Sequence, residues 1–122
     1  MLPQSYRQGY EKFAIALDLL LQAVRADNQE PGLVNERFQS LKQVYAQNVA
    51  IFSGDELTSE TFPRWQSFQT EIVRSQRLLE MDAMFLQASG NWATVLKRKN
   101  AMSDRISTLI SYCEALLQAK SE

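Results

Sequence analysis

The chain has 122 residues, with 13 lysines and arginines, 14 aspartates and glutamates, one cysteine and no histidine. A formal net charge of −1 supplies no long-range attraction to nucleic acid, and a chain of this length forms one domain, 1–122, that buries roughly two-thirds of its unfolded surface. Without histidine there is no Ser-His-Asp or Cys-His pair and no glutamate-x-x-histidine di-iron site, so we predict no enzyme, no metal and no cofactor.

The N-terminal stretch MLPQSYRQGY lacks a basic segment followed by an apolar core, so no secretory signal is predicted. The longest apolar run, AIALDLLLQAV, is interrupted by Asp18 and Gln22. It is too short to span a bilayer, which requires ~20 apolar residues. The single Cys113 fits a reducing compartment. We therefore expect a cytoplasmic protein without a membrane span.

Apolar residues at alternating spacings of four and three predict a first helix from about 3 to 26. This stripe is typical of a helix that packs along another helix at a shallow angle, and its members are Tyr6, Tyr10, Phe13, Leu17, Leu20 and Val24. Pro3 suits the first turn, where a missing N–H costs nothing. Gly9 lies inside the helix at a cost of ~1 kcal/mol relative to alanine and is compatible with a close helix approach.

The same spacing follows the polar break ADNQEPG and predicts a second helix from about 31 to 52. Its stripe is Val34, Phe38, Leu41, Tyr45, Asn48 and Phe52. Asn48 either fixes the register on the seam or faces water on the flank, and we prefer the flank. The next stretch, SGDELTSETFP, contains Gly54 and Pro63 and is the clearest loop.

A third helix is predicted from about 61 to 88. Its N-cap is either Thr58 or Ser59, with Pro63 in the first turn region, or Thr61, with Pro63 near the first or second helical position, and we prefer Thr61. At its other end, Gly90 is expected to adopt the left-handed conformation common just after a helix.

The second half of this helix is apolar over too wide an arc for a single buried face. The residues concerned are Leu78, Leu79, Met81, Met84, Phe85 and Leu86. We expect contact on two sides, one with the core and one with a second subunit, a partner protein or another helix of the chain.

A fourth helix is predicted from about 92 to 119. Its stripe is Val95, Met102, Ile106, Leu109, Cys113 and Leu116. The short connection before it makes helices three and four antiparallel neighbours. The predicted fold class is all-α, an antiparallel up-down-up-down four-helix bundle.

One charged cluster in the third helix has two interpretations. Glu80 and Asp82, two residues apart, face different directions and cannot act together on a substrate. Either Arg77 and Glu80 form a surface pair worth a few tenths of a kcal/mol, which we prefer, or Asp82 or Arg74 lies at the rim of a contact surface. The centre of that surface, and a candidate homodimer surface, is Leu78, Met81 and Phe85.

Lys97, Arg98 and Lys99 form a short basic run, which is either a solvated helix face or a nucleic-acid patch. We prefer the solvated face, so nucleic acid is the weaker alternative. The full set of predicted partner-binding residues is Arg74, Arg77, Asp82, Lys97, Arg98 and Lys99.

Two further residues are assigned to the core, Trp65 and an unreactive Cys113, while Trp92 either covers the bundle end or anchors a partner.

The segments RWQSFQTEI, RLLEMDAMFLQA and DRISTLISYCEALLQ resemble the PatD family of small cyanobacterial proteins that control heterocyst frequency. The similarity extends over essentially the whole chain and is weakest between 27 and 60. It implies a non-enzymatic regulator that binds the tubulin-like division protein FtsZ, influences its assembly and links cell division to heterocyst frequency. A homodimer would give such a regulator two binding surfaces by symmetry.

Overall fold

A computed structural model describes residues 2–26 and 31–118. It contains four helices, α1 (Gln4–Arg25), α2 (Pro31–Asn48), α3 (Thr61–Ala88) and α4 (Trp92–Gln118). α1 packs against α2 and α4, and α4 also packs against α3, whereas the fourth neighbouring pair, α2 and α3, is packed least extensively of the four. The predicted all-α four-helix bundle is therefore confirmed. The predicted last residue of the fourth helix, 119, lies outside the described residues.

Two hydrogen bonds show that α1 and α4 are antiparallel. Near the start of α1, Arg7 Nη1 donates to the carbonyl oxygen of Leu117 at 2.8 Å. At the other end, Lys99 Nζ donates to the carbonyl oxygen of Ala26, just after α1, at 3.2 Å. These contacts fix the relative register of the two helices at both ends of the bundle.

The core is formed by the predicted stripes. All six stripe residues of α1 are buried, and so are five of those predicted in the fourth helix, namely Met102, Ile106, Leu109, Cys113 and Leu116. α2 contributes Val34, Phe38 and Leu41, while its Tyr45 and Asn48 are only partly buried. Burying such large apolar side chains contributes roughly 1.5–3 kcal/mol each relative to leaving them exposed.

α2 ends at Asn48, one turn before the predicted end at Phe52. The chain turns here because the Phe52 ring stacks on Tyr6, with ring centroids 4.0 Å apart. Gly9 allows this approach, since a Cβ at that position would meet the Asn48 carbonyl oxygen and the Phe52 ring. The predicted role of Gly9 at a close approach is thus confirmed, and Asn48 lies on the partly buried flank, where its Nδ2 donates to the carbonyl oxygen of Val44.

α3 begins at Thr61, and the residue at its N-cap position is Glu60, whose side chain makes no capping hydrogen bond. The Thr58 hydroxyl accepts a hydrogen bond from the Thr61 N–H at 3.1 Å, so the preference for Thr61 as the N-cap was wrong. The prediction for Gly90 was wrong too, because the only positive-φ residue in the described part of the chain is Gly54. α3 ends instead with Ser89 in an extended conformation, its N–H donating to the Leu86 carbonyl.

Candidate protein-interaction surface

Asp82, which the sequence placed among the partner-binding residues, lies inside the bundle. Its side chain is buried, at 7% exposure for the residue, and its Oδ2 accepts a hydrogen bond from Arg105 Nε of α4 at 2.6 Å. The carboxylate therefore joins α3 to α4 and does not lie on the rim of a contact surface. Sequence spacing could not pair these residues, because they are on different helices.

Glu80 is also paired across helices, and not with Arg77 as predicted. Its Oε2 lies 2.9 Å from Lys42 Nζ of α2. Arg77 remains exposed. Arg74 is exposed as well, and its nearest ion-pair contact among the described residues is a distant one, 3.9 Å to Glu71.

The predicted dimer residues lie on the outer side of the same helix. Met81 is 50% exposed and Phe85 is 46% exposed, while Leu78 is partly buried. The guanidinium of Arg98 from α4 lies 4.7 Å from the Phe85 ring centroid, in the range of a cation–π contact. These apolar side chains and the neighbouring cations form what we call the α3 surface, defined as Arg74, Arg77, Leu78, Met81, Phe85 and Arg98.

A groove of about 680 Å³ continues this surface along the first half of α3. Its apolar lining consists of Phe62, Trp65, Val73 and Leu78. Arg74 and Arg77 are its only charged lining residues in the described part of the chain, and Ser53 of the α2–α3 connection also lines it. The groove lies beside α3 because α2 packs only loosely against that helix.

The basic run does not form a patch. Lys97 is exposed, Arg98 covers the Phe85 ring, and Lys99 donates to the end of α1. Three consecutive residues on a helix point in different directions, about 100° apart. The structure therefore separates the three residues that the nucleic-acid alternative requires to act together.

A network of buried hydroxyl and amide groups was missed in the sequence. Tyr10 donates its hydroxyl proton to the Gln69 carbonyl and accepts a hydrogen bond from Trp65 Nε1 at 2.9 Å. Burial raises the pKa of Tyr10 well above its ordinary value. The one sequence feature that indicated this network was Gln69, a polar residue four positions after Trp65 on the inner side of the helix. Its partner on α1 could not be identified from spacing.

A second tyrosine holds the α2–α3 connection. The Tyr6 hydroxyl donates to Glu56 Oε1 at 2.5 Å and accepts from the Gly54 N–H at 2.9 Å. Burial first, and then the bond to Glu56, raise the pKa of Tyr6 to about 12. The same bond lowers the pKa of Glu56. Both tyrosines are therefore neutral hydrogen-bonding groups of the core.

The two tryptophans have different environments. Trp65 is buried, as predicted, whereas Trp92 is 55% exposed. Cys113 is buried in the core, and burial raises its thiol pKa to about 12. A thiol with that pKa is a poor nucleophile at neutral pH. Trp92 is thus accessible to a partner, while Cys113 is a packing residue.

Residues 2–26 and 31–118 contain neither a metal-binding cluster nor a membrane-spanning helix. No group of three or more Cys, Asp or Glu side chains there is arranged to hold a metal ion. None of the helices in this part of the chain is both long and apolar enough to cross a membrane.

Comparison with protein-family models, curated proteins and solved structures finds no match for this chain.

Proposed function

We propose that the protein is a non-enzymatic regulator of the PatD type, which binds FtsZ through the α3 surface and modulates FtsZ assembly. The observation that carries the proposal is the exposure of Met81 and Phe85, two large apolar side chains beside arginines. Exposed apolar side chains grouped on one face mark protein-interaction sites more often than isolated ones do. Methionine suits such a site because its flexible side chain adapts to a partner.

The name of the partner comes from the resemblance of three segments to the PatD family, two of which lie in α3. In a cyanobacterium, a regulator of this kind would act in the cytoplasm and link cell division to heterocyst differentiation. Four residues of the α3 surface, Arg77, Leu78, Met81 and Phe85, lie within the segment from 77 to 88. The same helix thus carries both the similarity and the exposed apolar residues.

The test is FtsZ assembly with GTP, followed by light scattering and sedimentation, with and without the protein. We expect the unsubstituted protein to change the amount of sedimented polymer. The double variant Met81→Ser/Phe85→Ser should lose the effect, because it removes the apolar centre of the α3 surface.

The matched control is Ile15→Ser/Leu19→Ser, which changes two exposed apolar residues on α1. This control should keep the effect on assembly. Urea unfolding of both variants establishes that each remains folded. No change in assembly with the unsubstituted protein would refute the proposed partner.

A homodimer is the competing use of the same surface, on Leu78, Met81 and Phe85. Sedimentation velocity of the unsubstituted protein over a hundredfold concentration range tests it. A dimer that the Met81→Ser/Phe85→Ser variant dissociates would support self-association. A second candidate function, nucleic-acid binding through Lys97, Arg98 and Lys99, is disfavoured by their divergent directions.

A further inference from the structure

We infer that the α3 surface docks an acidic amphipathic helix of a partner protein. This inference deepens the proposed function and rests on it in treating the surface as a protein contact. It adds the chemistry of the bound segment, which neither the resemblance nor the apolar exposure specifies.

The first step concerns charge. In the sequence, the stretch from 74 to 85 carries two arginines and two acids, which suggests a neutral surface. In the structure Asp82 is buried against Arg105 and Glu80 is paired with Lys42 of α2. Arg74 and Arg77 remain exposed. Folding thus pairs both acids with cations of other helices. Glu71 lies 3.9 Å from Arg74, and three arginines, Arg74, Arg77 and Arg98, against this one carboxylate leave the surface with an excess of positive charge.

The second step concerns shape. Arg74, Leu78, Met81 and Phe85 follow one another at spacings of four, three and four residues. Residues at these spacings lie on one side of a helix, as in the seam of a coiled coil. The stripe is about 16 Å long at 1.5 Å per residue, and the 680 Å³ groove extends it toward Phe62. A helix packed along α3 would cover both.

The third step distinguishes a partner from a second copy. A two-fold interface places the same patch on both subunits. Arg74, Arg77 and Arg98 would then meet the same three cations of the other copy. Like charges placed together at an interface oppose binding, whereas carboxylates flanking an apolar stripe would complement these arginines. The charge pattern therefore favours an acidic partner over self-association.

The test uses two labelled peptides of about three heptads, each with leucine at the a and d positions. One carries glutamate at the flanking e and g positions and the other carries lysine there. Binding to the full chain is measured by fluorescence anisotropy at two salt concentrations. We expect binding of the glutamate peptide, at least tenfold weaker binding of the lysine peptide, and a loss of affinity at the higher salt because the charges are screened.

Variants assign the binding to the α3 surface. Arg74→Gln/Arg77→Gln should weaken binding of the glutamate peptide about tenfold, and Arg74→Glu/Arg77→Glu should bind the lysine peptide instead. The control Lys12→Gln/Arg25→Gln removes two exposed cations from α1 and should leave binding unchanged.

Equal binding of both peptides, or an arginine double variant that binds like the unsubstituted chain, would overturn the inference. If the protein forms a dimer and either arginine double variant strengthens that dimer, the charge argument is supported. If both arginine variants abolish the dimer, the charge argument is overturned.

The FtsZ assay separates this inference from the proposed function. If the glutamate peptide binds as expected but FtsZ assembly does not change, the docking chemistry holds and the proposed partner is wrong. If the protein changes FtsZ assembly and Arg74→Gln/Arg77→Gln changes it equally, the partner holds and the inferred docking chemistry is wrong.

Discussion

Arg105 of α4 donates a hydrogen bond to Asp82 of α3 at 2.6 Å, and the Asp82 carboxylate is buried between the two helices. This pair joins the helix that carries the α3 surface to the rest of the bundle. It also removes a negative charge from the region where Arg74 and Arg77 face solvent. One interaction therefore influences both the stability and the surface charge of the protein.

Replacement of Asp82 by alanine should destabilise the protein, because it leaves the Arg105 guanidinium without its carboxylate in a partly buried position. Full burial of an unpaired charge costs 3–5 kcal/mol, and because the Arg105 side chain is 31% exposed we expect about 2 kcal/mol. Urea unfolding measures the loss. Glu80→Ala breaks the exposed pair with Lys42 and should cost less than about 1 kcal/mol. Equal losses for the two variants would contradict the assigned burial.

Gly9→Ala should lower the free energy of unfolding although alanine favours helices by ~1 kcal/mol. The added Cβ would meet the Asn48 carbonyl oxygen and the Phe52 ring, and overpacking of this kind costs typically 1–3 kcal/mol. Thermal unfolding followed by circular dichroism measures the effect. Gly32→Ala is the control, since among the described residues no atom outside its chain neighbours and its own helix backbone lies within 4 Å of its added Cβ, and it should be neutral or slightly stabilising. A stabilised Gly9→Ala protein would show that α1 and α2 do not approach closely there.

Stability should fall as the pH rises from about 9 toward 12. Burial raises the pKa of Cys113 from 9.0 to about 12, and that of Tyr6 from 10.0 to about 12. Within this window the unfolded chain releases protons that the folded chain keeps. The stability that each group contributes is therefore fully present below its unfolded pKa and is lost as the pH rises through its folded pKa. The slope is up to about 1.4 kcal/mol per pH unit for each group.

Urea midpoints between pH 8 and pH 10.5 test this dependence. Cys113→Ala should be less stable at every pH because it leaves a small cavity, but its stability should fall less steeply between pH 9 and pH 10. A stability that stays constant across the whole range would contradict the burial of both groups. At the acid end, the lowered pKa of Glu56 gives the opposite sign, a contribution present above its unfolded pKa and lost as pH falls through its folded value.

The three residues of the basic run should behave differently when replaced one at a time. Lys99→Gln loses the bond to the carbonyl at the end of α1 and should cost about 0.5–1 kcal/mol, as expected for a cation at a helix C-terminus. Lys97→Gln changes an exposed side chain and should stay within about 0.5 kcal/mol of the parent. Equal effects in urea unfolding would mean that Lys99 does not cap α1.

DNA binding by these variants tests the nucleic-acid alternative. Because the run does not form a single patch, we expect no binding of duplex DNA with a steep salt dependence. Binding that all three single substitutions weaken to a similar extent would instead show that Lys97, Arg98 and Lys99 act together.

The sequence by itself determined the four helices, their order and most of the core. Hydrophobic periodicity is a local property, so Tyr6 to Val24 could be assigned to one buried stripe without knowledge of their neighbours. The ends of helices were less predictable. Phe52 leaves the helical path to stack on Tyr6, and this contact joins residues far apart in the chain.

Only the tertiary structure decided which charges remain on the surface. Glu80 and Asp82 are adjacent to exposed arginines in the sequence, yet Lys42 and Arg105 from other helices pair with them. Electrostatic pairing depends on distance in space, and sequence spacing gives that distance only within one helix. For the same reason the sequence predicted the apolar centre of the α3 surface, Leu78, Met81 and Phe85, and its arginines, but not the pairing of the acids with other helices.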